Sequence, residues 1–525
     1  MTDSVRFDSS PRPHSLLGIS AWLVVLLLAG GLYTYAGRAR AAVATATELD
    51  YGEGTVLWQV RNLPDLPAAV HPLGTYPYIL FNYTPVYHWA TRLMALALPR
   101  PEAPDLVAAG RLVSIFSMLG ICALAGLIVR RTTRGWASLP AACMGALLLL
   151  QLPNTDWSLL VRVDMIGIFF TYLGLYLFLR AEQQPWAHYA AFAAFTLALY
   201  SRQTLIAAPA ACLLCLFAQN PRRAVRVVAA FAAAGLAILG VLAGLTHGEF
   251  VRHLFTYNVS PFHWRHGIWL ALDLCRRSLF VILPALSFAM GAIWRTATRR
   301  ESFRGSGAAS LFVVYLGISS VAALSIAKAG ANVNYLLEPL FACCILTALF
   351  FGERLLAAQR QPRFAATGVT LALLAAALVA LPLSRGGVAA TGLAGCSPAA
   401  EATHAEMLRR VAGIRGEIYS EEMTLLTQSG RQVPGEPSSV TFLSQIHLWD
   451  ETPLVERFRS RGFAAVIVNT SLGNPEHFSP LVRAAVEQRY ELRERIGAYS
   501  LYLPRETPLP AHEQSRVSGR SLPRV

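Results

Sequence analysis

Apolar runs alternate with short polar breaks from about residue 16 to residue 383, and then the pattern changes. A helix that crosses a bilayer needs about 20 apolar residues. The runs predict spans near 16–36, 106–129, 136–153, 163–180, 186–202, 204–219, 224–246, 279–294, 308–327, 335–352 and 365–383. The division at Ser201, Arg202 and Gln203 is the narrowest break. Beyond it all, from residue 401, strand-like and helix-like periods alternate. Helices are predicted at 401–414, 451–461 and 479–489, and strands at 417–420, 463–469, 490–496 and 498–503. Such alternation implies a small sheet packed on helices. The predicted fold class is therefore an all-α polytopic membrane domain of about 11 transmembrane helices with a small C-terminal α/β soluble domain.

The domain boundaries follow. Residues 1–15 form an N-terminal tail, and 16–384 form the membrane domain with a long first outer loop at 37–105. Residues 385–400 are a Gly/Ala-rich linker, 401–504 the soluble domain, and 505–525 a Pro-, Ser- and Arg-rich tail expected to be disordered. The run from Leu16 to Tyr35 is too long for a signal-peptide core and reads as a retained first helix.

Charge orients this frame. Arg130/Arg131/Arg134, Arg180, Arg222/Arg223/Arg226, Arg295/Arg299/Arg300/Arg304 and Arg354/Arg360/Arg363 all fall in one set of alternating loops. The positive-inside rule makes that set cytoplasmic. The other set, including the loops at 37–105 and 247–278 and everything after 384, is then extracytoplasmic. Composition agrees with a membrane protein, with 54% hydrophobic and 14% charged residues and a mean hydropathy of +0.44. The net charge of +14 does not signal nucleic acid, because the basic residues sit in short clusters between apolar runs. Six of the eight cysteines lie in apolar runs, and the Cys212/Cys215 pair has neither a second pair nor a nearby histidine, so no metal or redox motif is read there.

The polar residues of the outer set carry the candidate chemistry. Asp50 and Glu53 follow the first helix in the turn Asp50-Tyr51-Gly52-Glu53-Gly54. Two carboxylates three residues apart share a face if the turn is helical, and the glycines allow close approach of another group. A carboxylate at the membrane surface can act as a general base; helix-capping acids on a solvated loop are the bland reading. Asp164 stands just after Arg162, where the fourth span begins, as a functional acid, as the partner of a local Arg162–Asp164 pair, or as a helix N-cap. Arg202 interrupts an apolar stretch and either snorkels to headgroups or binds a phosphate. Lys328, the only lysine of the chain, opens a stretch that runs through Asn332 and Asn334 to Glu338. A glutamate one turn inside the bilayer demands a partner, and Lys328 or an outer-loop arginine is the expected one. Residues 54–63 have helical apolar spacing and are expected to lie along the interface.

Taken in order, Asp50-Tyr-Gly-Glu-Gly54, Asn82-Tyr-Thr-Pro-Val-Tyr-His-Trp89, Arg162-Val-Asp-Met165, Tyr200-Ser-Arg-Gln-Thr204 and Asn332-Val-Asn-Tyr-Leu-Leu-Glu-Pro339 resemble the GT-C class of membrane glycosyltransferases. The nearest resemblance is to the protein-mannosyltransferase and aminoarabinose-transferase superfamily. The soluble domain, with Tyr419-Ser-Glu-Glu-Met423 and Tyr499-Ser-Leu-Tyr-Leu-Pro504, is also similar. The resemblance implies a GT-C-like fold in the bacterial inner membrane with an extracytoplasmic C-terminal domain. It implies transfer of a sugar from a polyprenyl-phosphate donor, usually with inversion, to a lipid, polysaccharide or protein acceptor. The catalytic base is then Asp50 or Glu53; where many members carry an Asp-Glu dipeptide this chain has Asp50-Tyr-Gly-Glu53, so both stay open. Arg162, Arg202 and Lys328 are the candidates for holding phosphate, with Asp164, Asn334 and Glu338 beside them. Members of the class differ in needing a divalent cation, and two acids without a histidine cluster leave that metal open. The alternative is a flippase for lipid-linked saccharides, but the internal repeats common in transporters are not visible.

Overall fold

The computed structural model of the chain describes residues 15–98, 105–181, 183–299, 307–360 and 396–505. The expected span at 365–383, most of the linker, nearly all of the N-terminal tail and the C-terminal tail beyond residue 505 lie outside the described residues.

Each of the other expected runs is a helix. They are α1 (Ser15–Ala44), then, past a loop that holds α2 (Glu53–Asn62) and α3 (Val86–Leu96), α4 (Leu106–Thr132), α5 (Ser138–Gln151), α6 (Asp164–Arg180), α7 (Ala187–Leu199), α8 (Ala207–Gln219) and α9 (Pro221–Leu245). After α10 (Trp264–Arg277) come α11 (Leu279–Arg299), α12 (Gly307–Ala322) and α13 (Leu337–Arg360). One large apolar core joins these helices, with Met118, Leu147, Tyr172, Phe195, Phe312 and Phe341 fully or almost fully buried. The chain is a multi-pass membrane protein by the length and apolarity of α1, α4, α9, α11, α12 and α13. Helices α7 and α8 have 13 residues each, about 20 Å of rise, well under the ~30 Å hydrocarbon thickness. The polar break at Tyr200–Ile206 between them is correspondingly wide, and it places Arg202 within the protein.

Helix α9 differs from its neighbours. Only 11% of its most apolar window is buried in the protein, and Val225, Leu236, Val241 and Leu245 are exposed. An apolar helix that meets so little protein faces lipid in a membrane.

The soluble domain runs from α14 (Pro398–Gly413) through β1 (Ile418–Ser420), α15 (Met423–Gln428), α16 (Pro437–Gln445), α17 (Thr452–Arg459), β2 (Ala465–Val468) and α18 (Pro480–Arg489) to the hairpin β3 (Tyr490–Ile496) and β4 (Tyr499–Pro504). The sheet order is β1-β2-β4-β3, with β1 parallel to β2 and the other pairs antiparallel. The parallel pair β1 and β2 is buried at every position, although β1 is an edge strand of the sheet. Helices α15 and α16 had no sequence signal strong enough to place them.

The first loop belongs to both halves. Trp58, Leu63, Ile79 and Phe81 share a core with Ile418, Leu425, Leu426 and Ile467 of the soluble domain. Gly54 is where the backbones meet: a Cβ there would lie 2.9 Å from the Thr424 nitrogen. The stretch predicted to lie on the membrane surface is thus helix α2, buried from Glu53 to Gln59 and on to Val60 between the two domains. Tyr78 and Gly435 form a parallel bridge, with Tyr78 N–H donating to the Pro434 carbonyl at 2.8 Å and Glu436 N–H to the Tyr78 carbonyl at 3.1 Å.

Candidate active site

A cavity of about 990 Å³ opens between the membrane and soluble domains. Asp50, Arg162, Lys328 and Tyr335 line it from the membrane domain; α10 contributes Trp264, Arg265 and Trp269. Glu436, Ser438, Ser439, Phe442, Glu476 and His477 line it from the soluble domain. The cavity wall is cationic and aromatic on one side and carries hydroxyl and carboxylate groups on the other.

Asp50 and Arg162 form an ion pair at this wall, each with less than a fifth of its side chain exposed. The alternative of a local Arg162–Asp164 pair does not hold: Arg162 reaches across to the first loop. Gly52 makes that possible, since a Cβ there would sit 2.1 Å from an Arg162 nitrogen. Trp157 supports the guanidinium from its other face, 5.1 Å from the indole centroid.

Behind the wall lies a second pair. Arg202 is bound to Asp164, and both are buried. Asp164 also accepts from the Trp157 indole at 2.9 Å and the Asn334 amide at 3.0 Å. The Arg202 guanidinium stacks over Tyr335 at 4.8 Å, and Tyr335 faces the cavity. Asp164, Arg202 and Asn334 therefore support the wall through Trp157 and Tyr335 without lining it.

Lys328 stands opposite. It forms no ion pair among the described residues, while its backbone is pinned to the loop before α10: Phe262 and Lys328 form an antiparallel bridge, and Ala329 N–H donates to the Pro261 carbonyl at 2.8 Å. This pairing, invisible in the sequence, brings α10 and Lys328 to the same cavity.

Glu53 and Glu338 are placed elsewhere. Glu53 is fully buried, and Arg111 grips it with Nε to Oε1 at 3.1 Å and Nη2 to Oε2 at 2.8 Å. The amides of Val161 and Leu49 donate to it at 2.6 and 2.7 Å. Its oxygens are occupied, and it does not reach the cavity. A carboxylate so placed orders the turn, and of these two first-loop acids it is Asp50 that faces the cavity. Glu338 takes a hydrogen bond from the Tyr315 hydroxyl at 2.9 Å inside the bundle. Its hydrogen-bond partner is thus Tyr315 and not Lys328, while the charge of Arg202, an outer-loop arginine, also acts on it.

The sequence reading missed the soluble-domain wall. Tyr51 donates its hydroxyl to Glu436 at 2.9 Å and stacks on His477 with centroids 4.2 Å apart. It also missed Arg111, though one arginine in the first turns of an apolar helix is a detectable signal. For a divalent cation, no group of three or more His, Cys, Asp and Glu side chains converges among the described residues. Of the acids singled out in the sequence, Asp50 faces Arg162 and Asp164 faces Arg202.

The profile of the dolichyl-phosphate-mannose-protein mannosyltransferase family matches residues 82–247, well under half of the chain. The structure is similar to ArnT from Cupriavidus metallidurans in its apo state, at 17% identity and a TM-score of 0.55, covering 92% of this chain and 98% of that one. It is also similar to the Archaeoglobus fulgidus oligosaccharyltransferase tethered to an acceptor peptide, at 12% identity and a TM-score of 0.53, covering 94% of this chain and 74% of that one. A further Archaeoglobus fulgidus structure, AglB with an inhibitory peptide and a dolichol-phosphate, matches at 12% identity and a TM-score of 0.50 over the same shares. No curated protein sequence matches this chain. The fold is that of the GT-C class of membrane glycosyltransferases.

Proposed function

We propose that this GT-C protein transfers a sugar from a polyprenyl-phosphate-linked donor to an acceptor at the extracytoplasmic face of the bacterial inner membrane. The observation that carries the reading is that Asp50, paired with Arg162, and Lys328, without a counter-ion among the described residues, face one cavity at the junction of the membrane and soluble domains. The related structures span both domains, and one of them was solved with a dolichol-phosphate and a peptide. The arginine clusters of the opposite loops support an extracytoplasmic cavity.

The chemistry runs on the chain's own groups. The lipid phosphate settles near Lys328 and Arg265, with its tail toward the exposed apolar residues Phe262, Trp264 and Ile268 at the start of α10. The acceptor, a lipid, polysaccharide or protein, enters from the soluble-domain side. Asp50 takes the proton of the acceptor nucleophile as that atom forms its bond to the sugar C1. The bond from C1 to the phosphate oxygen breaks, and the polyprenyl phosphate leaves with the electron pair. Fixed cations stabilise the charge that grows on that phosphate without reorganising. Arg162 holds Asp50 in place, and the Asp164–Arg202 pair holds Tyr335 and Trp157 beneath.

The test is transfer of labelled sugar from a polyprenyl-phosphate donor to envelope acceptors by the protein in membranes. D50N is expected to abolish transfer while leaving the protein folded. Parental activity in D50N overturns the assignment. A flippase would move the donor and form no product bond, so covalent product separates it from a transferase.

A further inference from the structure

Three consecutive residues of the first loop are held by two different parts of the molecule. Asp50 is held by Arg162, and Gly52 has the same guanidinium against its Cα. Tyr51, between them, points the other way, into the soluble domain. Its ring lies on the His477 imidazole with the planes 17° from parallel. Its hydroxyl donates to Glu436 and accepts from the Ser438 amide at 3.1 Å. Burial, and then the Glu436 carboxylate, push the Tyr51 phenol well above its ordinary range, so it stays a neutral donor.

His477 is itself clamped. Its Nδ1 meets Glu421, a buried carboxylate that also takes the backbone amides of Asn469 and Thr470 at 2.7 and 2.9 Å. Burial works against charge on Glu421, but the bonds from His477 and Thr470 outweigh it and hold the acid below the usual carboxylate range. On the backbone side, the Thr441 hydroxyl donates to the His477 carbonyl at 3.1 Å. The imidazole therefore has a fixed ring plane, one face of which carries Tyr51.

We propose that His477, oriented by Glu421, is a positioning residue of the transfer reaction: it holds Tyr51, and through it the turn that presents Asp50 to the cavity. The soluble domain is then part of the active site and not an appended module. The inference rests on Asp50 being the base. A stacked ring constrains the neighbouring residue where a hydrogen bond alone would let it swing, and misplacement of a reacting group by about 1 Å costs on the order of 100-fold in rate.

The experiment compares H477A, H477F, E421Q and D50N in the full-length protein, with kcat and KM for donor and acceptor, the pH profile of kcat/KM, and thermal unfolding. In H477A, kcat is expected to fall by about 10-fold or more with donor KM within roughly twofold of the parent, because the cations that hold the donor are untouched and alignment is lost. H477F keeps a ring against Tyr51 and is expected to recover most of that loss. E421Q is expected to fall between the two. Parental kcat in H477A, or equal losses in H477A and H477F, overturns the positioning role. If D50N is inactive while H477A is fully active, only this proposal fails. If D50N is fully active, the reading of Asp50 fails first.

Discussion

Arg111 and Glu53 meet as a two-pronged ion pair with both side chains out of reach of solvent. The same guanidinium donates to the carbonyls of Ala42 at 2.8 Å, Thr45 at 2.5 Å and Thr47 at 2.8 Å. One arginine near the start of α4 thus ties the end of α1 to the turn that carries Asp50. Ionised groups in such a place are tolerated only when every lone pair and proton is used, and here nearly all of them are.

Removing one partner strands the other. E53Q or R111M alone is expected to lower stability by about 3–5 kcal/mol, and the double variant by less than the sum of the two. Thermal unfolding in detergent reads this directly. An E53Q protein that melts with the parent shows that the pair does not hold the loop.

G52A tests the Asp50–Arg162 contact without touching either residue. The added Cβ would occupy the place of the Arg162 guanidinium, so the arginine must move off Asp50. Transfer activity is expected to drop by about 10-fold or more while the unfolding temperature changes little. Unchanged kcat in G52A would mean that Arg162 does not set the position of the base.

K328M removes a cation of the cavity wall that has no ion pair among the described residues. A hydrogen bond to a charged group contributes about 1.5–3 kcal/mol, which corresponds to a rise in donor KM of roughly 10- to 100-fold. The parent is expected to lose donor affinity as salt rises, and K328M to lose less. A donor KM equal to the parent's moves the phosphate site away from Lys328.

A pH dependence follows from the cluster under α14. His404 lies 3.3 Å from Glu422 and shares its other nitrogen with Gln428 at 2.7 Å; Tyr499 donates to Glu422 at 2.7 Å, with Glu401 on the same helix as His404. Burial opposes charge on His404, yet Glu422, helped by Gln428 and Glu401, raises its pKa above 6.5. A raised histidine stabilises the fold fully below its unfolded value, and that contribution is lost as pH rises through the folded value. Glu48, pushed up by burial and then by Glu422, acts in the same direction as it ionises. Protease resistance of the soluble domain is therefore expected to fall from pH 6.5 upward, and H404Q to flatten the curve. A parent whose resistance is flat across that interval removes the cluster from the account.

Much of the site was legible because burial of ionisable groups in an apolar run is conspicuous. Asp164, Arg202 and Glu338 stand out that way, and Asp50 and Glu53 stand out beside glycines. Which of them shares the cavity was not legible. Asp50 and Glu53 have equivalent claims by spacing, and the choice depends on Arg111, which lies far along the chain and enters with α4. The pairing of Arg162 had a local candidate in Asp164, but a side chain two residues away on a helix start points elsewhere, and the real partner comes from the first loop.

The order of apolar runs, the alternation of arginine-rich loops and the strand periods after residue 401 by themselves determined that this protein has a membrane-embedded helical bundle and a small α/β domain. Those features depend on solvent transfer of whole segments, which is a sum over local residues. Tertiary structure alone decided that Glu53 is buried against Arg111, that Lys328 joins the loop before α10 through the Phe262 bridge, and that His477 rests on Tyr51. Each of these depends on one or two contacts between segments distant in sequence, and no periodicity records where such segments meet.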